Sequence, residues 1–252
     1  MASGNQASDA QPSPGTASAD GFGSTAWSIV LAAAEDATGG AALDRLCRRY
    51  WRPAYTFARR SGLPRWDAED ATQDFFGHLL AGDWLKQADP NRGSFRAFLL
   101  TLLRNFLANR RRHEQAQKRG GALRAVALDT EECERDLAAL VSVDVDPALA
   151  YERAWAACVL QSALERLAAE QTEAEDAVRF AALRPFLTQA PAPGDYDRLG
   201  QTLGLSRNRI AVTIHRLSRR FAELIRAEVA DTLADRSQLD GELRGLLGAL
   251  AH

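Results

Sequence analysis

The chain has 252 residues, 46% of them hydrophobic and 25% charged, and a formal net charge of −2. That balance suits a globular protein long enough for two modest cores, and it argues against a disordered or fibrous chain. A near-neutral total gives no overall attraction to nucleic acid, so any basic surface has to be local.

Cys47, Cys133 and Cys158 are far apart and form no CxxC pair, and an odd count cannot close into a full set of internal disulfides. Reduced thiols in a cytoplasmic protein are expected. His78, His113, His215 and His252 share no ligand spacing, so neither a metal nor another cofactor is expected. No apolar run approaches the ~18 residues that span a bilayer, and the N-terminus lacks the pattern of a signal peptide.

Residues 1–23 are Ala, Ser, Gly, Gln, Pro and Asp with almost nothing to bury, and read as a disordered leader. Helical periodicity then runs from 24 to 119. Ser24 caps a first helix carrying Trp27, Val30 and Leu31, and Gly39-Gly40 breaks it. A second helix is expected over 42–60, with Leu43, Leu46, Tyr50 and Phe57 for a core. Residues 61–64, Ser-Gly-Leu-Pro, form a turn.

The next helix, DAEDATQDFFGHLL from Asp67, has Phe75, Phe76, Leu79 and Leu80 as its apolar residues. Asp67, Asp70 and Asp74, with Gln73, lie along one edge. Clustered carboxylates gain little on a free surface and fit a cationic partner. The helix dipole accounts for Asp67, Glu69 and Asp70 near the N-terminus, but not for Asp74.

A helix of opposite chemistry starts at Ser94: SFRAFLLTLLRNFLANRRR. Phe95, Phe98, Leu99, Leu102, Leu103 and Phe106 make its apolar face. Thr101, Arg104, Asn105, Ala108, Asn109 and Arg112 make the other. Between 104 and 124 there are seven basic residues (Arg104, Arg110, Arg111, Arg112, Lys118, Arg119 and Arg124) against one acid, Glu114. This local patch suits a nucleic-acid backbone with exposed bases as well as a solvated face.

Residues 120–146 are a linker, rich in acids (Asp129, Glu131, Glu132, Glu134, Asp136, Asp144, Asp146), with a short helix expected near 131–141. Helix resumes at Pro147 and runs to about 187. Pro185, Pro191, Pro193 and Gly194 mark a loop. A tail, 230–252, carries Leu233, Leu239, Leu243, Leu246, Leu247 and Leu250 at roughly helical spacing. No segment alternates with period two, so an all-α fold is predicted, in two small helical domains.

Residues 196–221, YDRLGQTLGLSRNRIAVTIHRLSRRF, have the pattern of a helix-turn-helix. Leu199 and Leu203 give the first helix its inner face. Gly200 is small where the second helix must cross, and Gly204 suits a turn at positive φ. Leu205 is the buried turn residue and Ser206 an N-cap. Ile210, Ile214, Leu217, Phe221 and Leu224 form the apolar stripe of the second helix. Its other side carries Arg207, Asn208, Arg209, Thr213, Arg216, Arg219 and Arg220. The N-terminal residues of such a helix reach base edges and later ones meet phosphates. Arg207, Asn208 and Arg209 are thus the expected base readers, and Arg216, Arg219 and Arg220 the phosphate contacts.

The DAEDATQDFF helix, the FRAFLLTLLRNFLANRRR helix, the linker and the LGLSRNRIAVTIHRLSRRF unit, in that order, resemble extracytoplasmic-function (ECF) sigma factors of bacterial RNA polymerase, over about residues 25–229. The resemblance implies a sigma-2-like domain at 24–119 and a sigma-4-like domain at 147–229. The family's Asp-x-x-Gln-acid motif falls on Asp70, Gln73 and Asp74, which would dock on the coiled coil of the polymerase β′ subunit. Reading of the −10 element would fall to Arg104, Asn105, Asn109 and Arg112, with Asn91 and Arg92 in the preceding loop holding a flipped base. Ser206, Arg207, Asn208, Arg209, Thr213, Arg216, Arg219 and Arg220 would serve the −35 element. The implied partners are the core enzyme, through β′ and β, and promoter DNA; the family leaves room for an anti-sigma factor. The acidic linker would thread near the polymerase cleft.

Three departures stand out. Thr101 and Leu102 occupy the place of the tryptophan pair that housekeeping sigma factors use in melting, which implies that other residues melt the duplex here. Phe98 replaces a tryptophan common in ECF factors. Gly200 stands where alanine is usual, which would loosen the first helix of the motif.

The implied function is promoter recognition without chemistry of its own. A helix-turn-helix repressor or activator is the main rival; it would need no acidic edge at Asp70, Gln73 and Asp74 and would dimerise on a palindrome. A magnesium-dependent nuclease using Asp67, Asp70 and Asp74 is a second rival, with no further carboxylates arranged to complete its site.

Overall fold

The computed structural model describes residues 40–81, 84, 89, 93–116, 134, 146–173 and 176–251. The leader, the helix expected from Ser24, most of the acidic linker and the loop residues Asn91 and Arg92 lie outside them. Within the described residues the fold is all-α, as the periodicity predicts, with eight α-helices, two 3-10 turns and no strand.

Helix α1 spans Gly40–Arg60, α2 Arg65–Leu80 and α3 Phe95–Ala116. The α1–α2 turn closes because Gly62 takes φ 94°. Its N–H donates to the Arg59 carbonyl (3.0 Å), and the Leu63 N–H donates to Ala58 (3.3 Å). This is the Schellman pattern that satisfies the last carbonyls of a helix and folds the next apolar residue back. Leu46, Tyr50 and Phe57 of α1 are buried as expected. They pack with Phe75, Phe76 and Leu79 of α2 and with Phe95, Leu99, Leu103 and Leu107 of α3. Phe75 meets Phe76 edge to face at 5.3 Å, and Trp51 stacks on Phe76 at 5.7 Å.

The helix expected from Pro147 to about 187 is not continuous: its first element, α4, spans Pro147–Glu173. It is followed by α5 (Ala177–Leu183) and a 3-10 turn at Arg184–Leu187. Its two halves serve different cores. Tyr151, Trp155, Ala156 and Val159 join the cluster of α1 to α3. Ala163 and Leu167 join a second cluster with Phe180, Leu183, Ile210, Ile214, Leu217, Phe221 and Leu224.

Most of that second cluster comes from α7 (Arg207–Ala230), and α6 (Asp195–Leu203) packs against it through half-buried Tyr196, Leu199 and Leu203. The five apolar residues assigned to the second helix of the motif are all buried. The tail forms a 3-10 turn at Arg236–Gln238 and helix α8 at Leu239–Ala251. Leu246 and Ala249 of α8 are buried, and α8 packs on α4 and α7.

Ionic contacts also tie α1 to later parts of the chain. Glu228 near the end of α7 is 4% exposed, accepts a hydrogen bond from Arg166 (2.8 Å) and is ion-paired with Arg49 of α1. Two cations on one buried carboxylate offset the cost of desolvating it. Glu134, in the acidic linker, is bound by Tyr55 and by Arg59 of α1 (Nε–Oε1 2.6 Å). The Arg59 hydrogen bond holds the Glu134 carboxyl below its ordinary range, while burial and Glu134 push the Tyr55 hydroxyl up.

Candidate nucleic-acid and polymerase interfaces

The helix-turn-helix closes by the expected chemistry at Gly204 and Ser206. Gly204 sits at φ 64°, in the left-handed region where glycine has no steric penalty. The Ser206 Oγ accepts from the Arg209 N–H at 3.3 Å and caps α7. Gly200 has a different role from the one expected of it. The Leu205 N–H donates to its carbonyl at 3.0 Å, and a Cβ at 200 would lie 2.7 Å from the Leu205 carbonyl oxygen. The close approach comes from the turn backbone, so glycine here tightens the motif. Gly200→Ala is expected to destabilise the chain by about 1–3 kcal/mol through that clash. A urea midpoint within error of wild type would show that the turn relaxes freely.

On α7, Ser206, Arg207, Asn208, Arg209, Arg216, Arg219 and Arg220 are exposed and Thr213 is half-buried. The Thr213 hydroxyl donates to the Arg209 carbonyl at 2.7 Å. Arg207 is 3.8 Å from Asp197 in an exposed pair, a contact worth little in water. Arg220 stands apart from the others. Its Nε and Nη2 donate to Glu170 of α4 (3.0 and 2.7 Å) and its Nη1 to Glu223 (3.1 Å). The Glu170 hydrogen bond raises the Arg220 pKa, and Arg220 lowers that of Glu170. A phosphate meeting Arg220 would have to displace a carboxylate. Val212, 58% exposed, adds an apolar residue to this face, which the sequence does not distinguish from the buried stripe.

Helix α3 separates its two sides as the sequence indicates. Phe95, Leu99 and Leu103 are buried, while Thr101, Arg104, Asn105, Ala108, Asn109 and Arg112 are exposed. The basic patch is partly tied down. Arg110 donates to Asp74 at 2.7 Å, and Arg111 donates to the Ser61 carbonyl. Arg104, Asn105, Asn109 and Arg112 form the exposed remainder of this face.

Helix α2 presents Asp67 and Asp74 exposed, with Asp70 and Gln73 half-buried. Two large apolar residues flank them in the open: Trp66 at 71% and Leu80 at 46% exposure. Leu79, the residue before Leu80, is buried. The Arg65 guanidinium lies 5.5 Å from the Trp66 ring centroid. Trp66, Asp70, Gln73, Gly77 and Leu80 follow at i, i+4, i+7, i+11 and i+14 along one side. A Cβ on Gly77 would touch nothing, so this fold does not require glycine there.

Among the described residues there is no cluster of three or more His, Cys, Asp or Glu side chains that could hold a metal. No described helix is long and apolar enough to cross a membrane.

Neither the curated proteins nor the solved structures gave a match to the chain. Residues 46–117 match the sigma-70 region 2 family, a segment that takes in α2, α3 and most of α1 and leaves the helix-turn-helix outside it. Region 2 is a non-enzymatic part of transcription initiation factors and binds core RNA polymerase and promoter DNA. By that match, residues 46–117 are similar to region 2 of sigma-70 family factors.

Proposed function

We propose that the protein is an ECF-type sigma factor that holds core polymerase through α2 and reads promoters with two separate helices. The observation that carries this reading is the segregation of faces. On α2, α3 and α7 most apolar residues pack inward, while carboxylates crowd the exposed side of α2 and Arg and Asn the exposed sides of α3 and α7. Open pairs such as Arg110–Asp74 and Arg207–Asp197 add little to stability, and the opposite signs of the two sets suit two different partners.

The stripe Trp66, Asp70, Gln73, Gly77, Leu80 supports a helical partner for α2. Its mean spacing of about 3.5 residues is that of a coiled-coil seam. Aromatic and aliphatic anchors around a polar centre are typical of interface hot spots, and an exposed mid-helix glycine allows close approach. This agrees with docking of Asp70, Gln73 and Asp74 on the β′ coiled coil.

Arg104, Asn105, Asn109 and Arg112 would face the −10 element, and Arg207, Asn208 and Arg209 the base edges of the −35 element. Arg216 and Arg219 would hold phosphates. Val212 adds an apolar surface suited to a thymine methyl group. Affinity for DNA alone is weak and salt-sensitive, because it rests on few phosphate contacts; the polymerase couples the two readers by effective concentration.

Core-polymerase binding followed by in vitro transcription tests the reading. The wild-type chain is expected to bind core enzyme and start transcripts at discrete promoters. Arg209→Ala is expected to cost roughly ten- to a hundredfold in initiation, depending on the −35 sequence. Equal loss across −35 variants would remove Arg209 as a base reader. Failure to bind core enzyme would leave the helix-turn-helix regulator as the better account.

A further inference from the structure

The C-terminal segment 231–251 reaches across the chain to the start of the −10 helix. The Phe95 N–H, at the first residue of α3, donates to the Thr232 carbonyl at 3.4 Å. Thr232 and Leu233 are buried. One residue on, Arg96 is held from three sides. Its Nε donates to Glu242 of α8 at 2.7 Å, it is ion-paired with Glu152 of α4, and its guanidinium lies 4.5 Å from the Trp155 ring centroid. Its side chain is only 12% exposed. Desolvation of that kind makes a paired guanidinium a strong anchor and a stranded one costly.

The helix that supplies Glu242 is poorly suited to stand alone. Three of its 13 residues are glycines, Gly241, Gly245 and Gly248. A Cβ at 245 would lie 3.3 Å from the Arg96 guanidinium, but at 241 and 248 it would meet nothing. Each glycine shifts an exposed helix toward coil by about fivefold relative to alanine. An isolated helix this short is already marginal. Helix α8 therefore forms by docking, and nothing in the docked packing explains two of its three weak points.

Closed packing also conflicts with bridging a promoter. Elements named for positions 25 base pairs apart lie about 85 Å apart on straight B-form DNA, at ~3.4 Å per base pair. A packed body of the described size has a radius of gyration of only ~16 Å.

We propose that segment 231–251 is an intramolecular clasp on the −10 helix, with Arg96–Glu242 as its catch, and that core polymerase must displace it to separate the two readers. This rests on the two-grip reading above. The glycines set the clasp weak enough to release.

Two full-length variants push it in opposite directions. Gly241→Ala with Gly248→Ala strengthens α8 without touching Arg96. Glu242→Arg places like charge against it. Hydrogen exchange of the α8 amides in the free chain and the Kd for core polymerase are measured for each. The alanine pair is expected to slow exchange and raise Kd by about tenfold, and Glu242→Arg to speed exchange and lower Kd by a comparable factor. Exchange that does not respond overturns the clasp as a contact. Exchange that responds while Kd stays fixed, or moves the other way, overturns its inhibitory role. A wild-type chain that binds no core enzyme overturns the sigma reading itself, and the exchange result still judges the contact.

Discussion

Asp74→Arg is expected to lower affinity for core polymerase by about a hundredfold, as expected when a charge at a specific interface is reversed. The Asp74 side chain is 60% exposed, and its one described partner is Arg110 at 2.7 Å. An ion pair that open contributes little to stability, so helix content and the urea midpoint should stay near wild type. The substitution also sets a second arginine against Arg110, which adds local positive charge where a cationic partner is expected. Asp74→Asn removes the charge without reversing it and is expected to fall between. Competition binding with labelled core enzyme reads both. Unchanged affinity in the arginine variant would remove α2 as the docking surface.

Trp155→Ala is expected to destabilise the chain by about 3–5 kcal/mol, the usual range for truncating a buried tryptophan. The side chain is fully buried, in the cluster that joins the first half of α4 to α1 and α3. Its ring also lies against the Arg96 guanidinium. The cavity therefore opens beside a desolvated cation, and the catch between α3 and α8 should loosen with it. Total stabilities are about 5–15 kcal/mol, so a loss of this size brings the transition close to ambient conditions. Urea unfolding followed by helical signal measures it. A loss below about 1 kcal/mol would mean that α4 packs on the first three helices without supporting them.

Much of the candidate site was legible because its signals are local. Gly204 needs a positive φ, Ser206 needs the Arg209 N–H, and the apolar stripe of α7 needs only a period near 3.6; each is settled within a few residues. The polar face of α3 and the acids of α2 follow by subtraction, since an apolar stripe that is buried leaves its opposite side in water. Trp66, Leu80 and Val212 were missed for the converse reason. An apolar residue gives no sign in sequence of whether it will be covered, and each of these is left open by the packing of other elements.

The sequence alone thus determined the all-α class, the approximate starts of the described helices and the residue types on their exposed faces, because period, capping and turn chemistry act over a turn or two. Tertiary structure decided what no local rule contains. It split α4 between two cores, tied Arg220 to Glu170 and Arg110 to Asp74, and gave Gly200 its tight approach to Leu205. It also brought Glu242 from the tail to Arg96 at the start of α3. Such pairs are chosen by how helices cross in space, and a side chain's fate in them depends on partners far away along the chain.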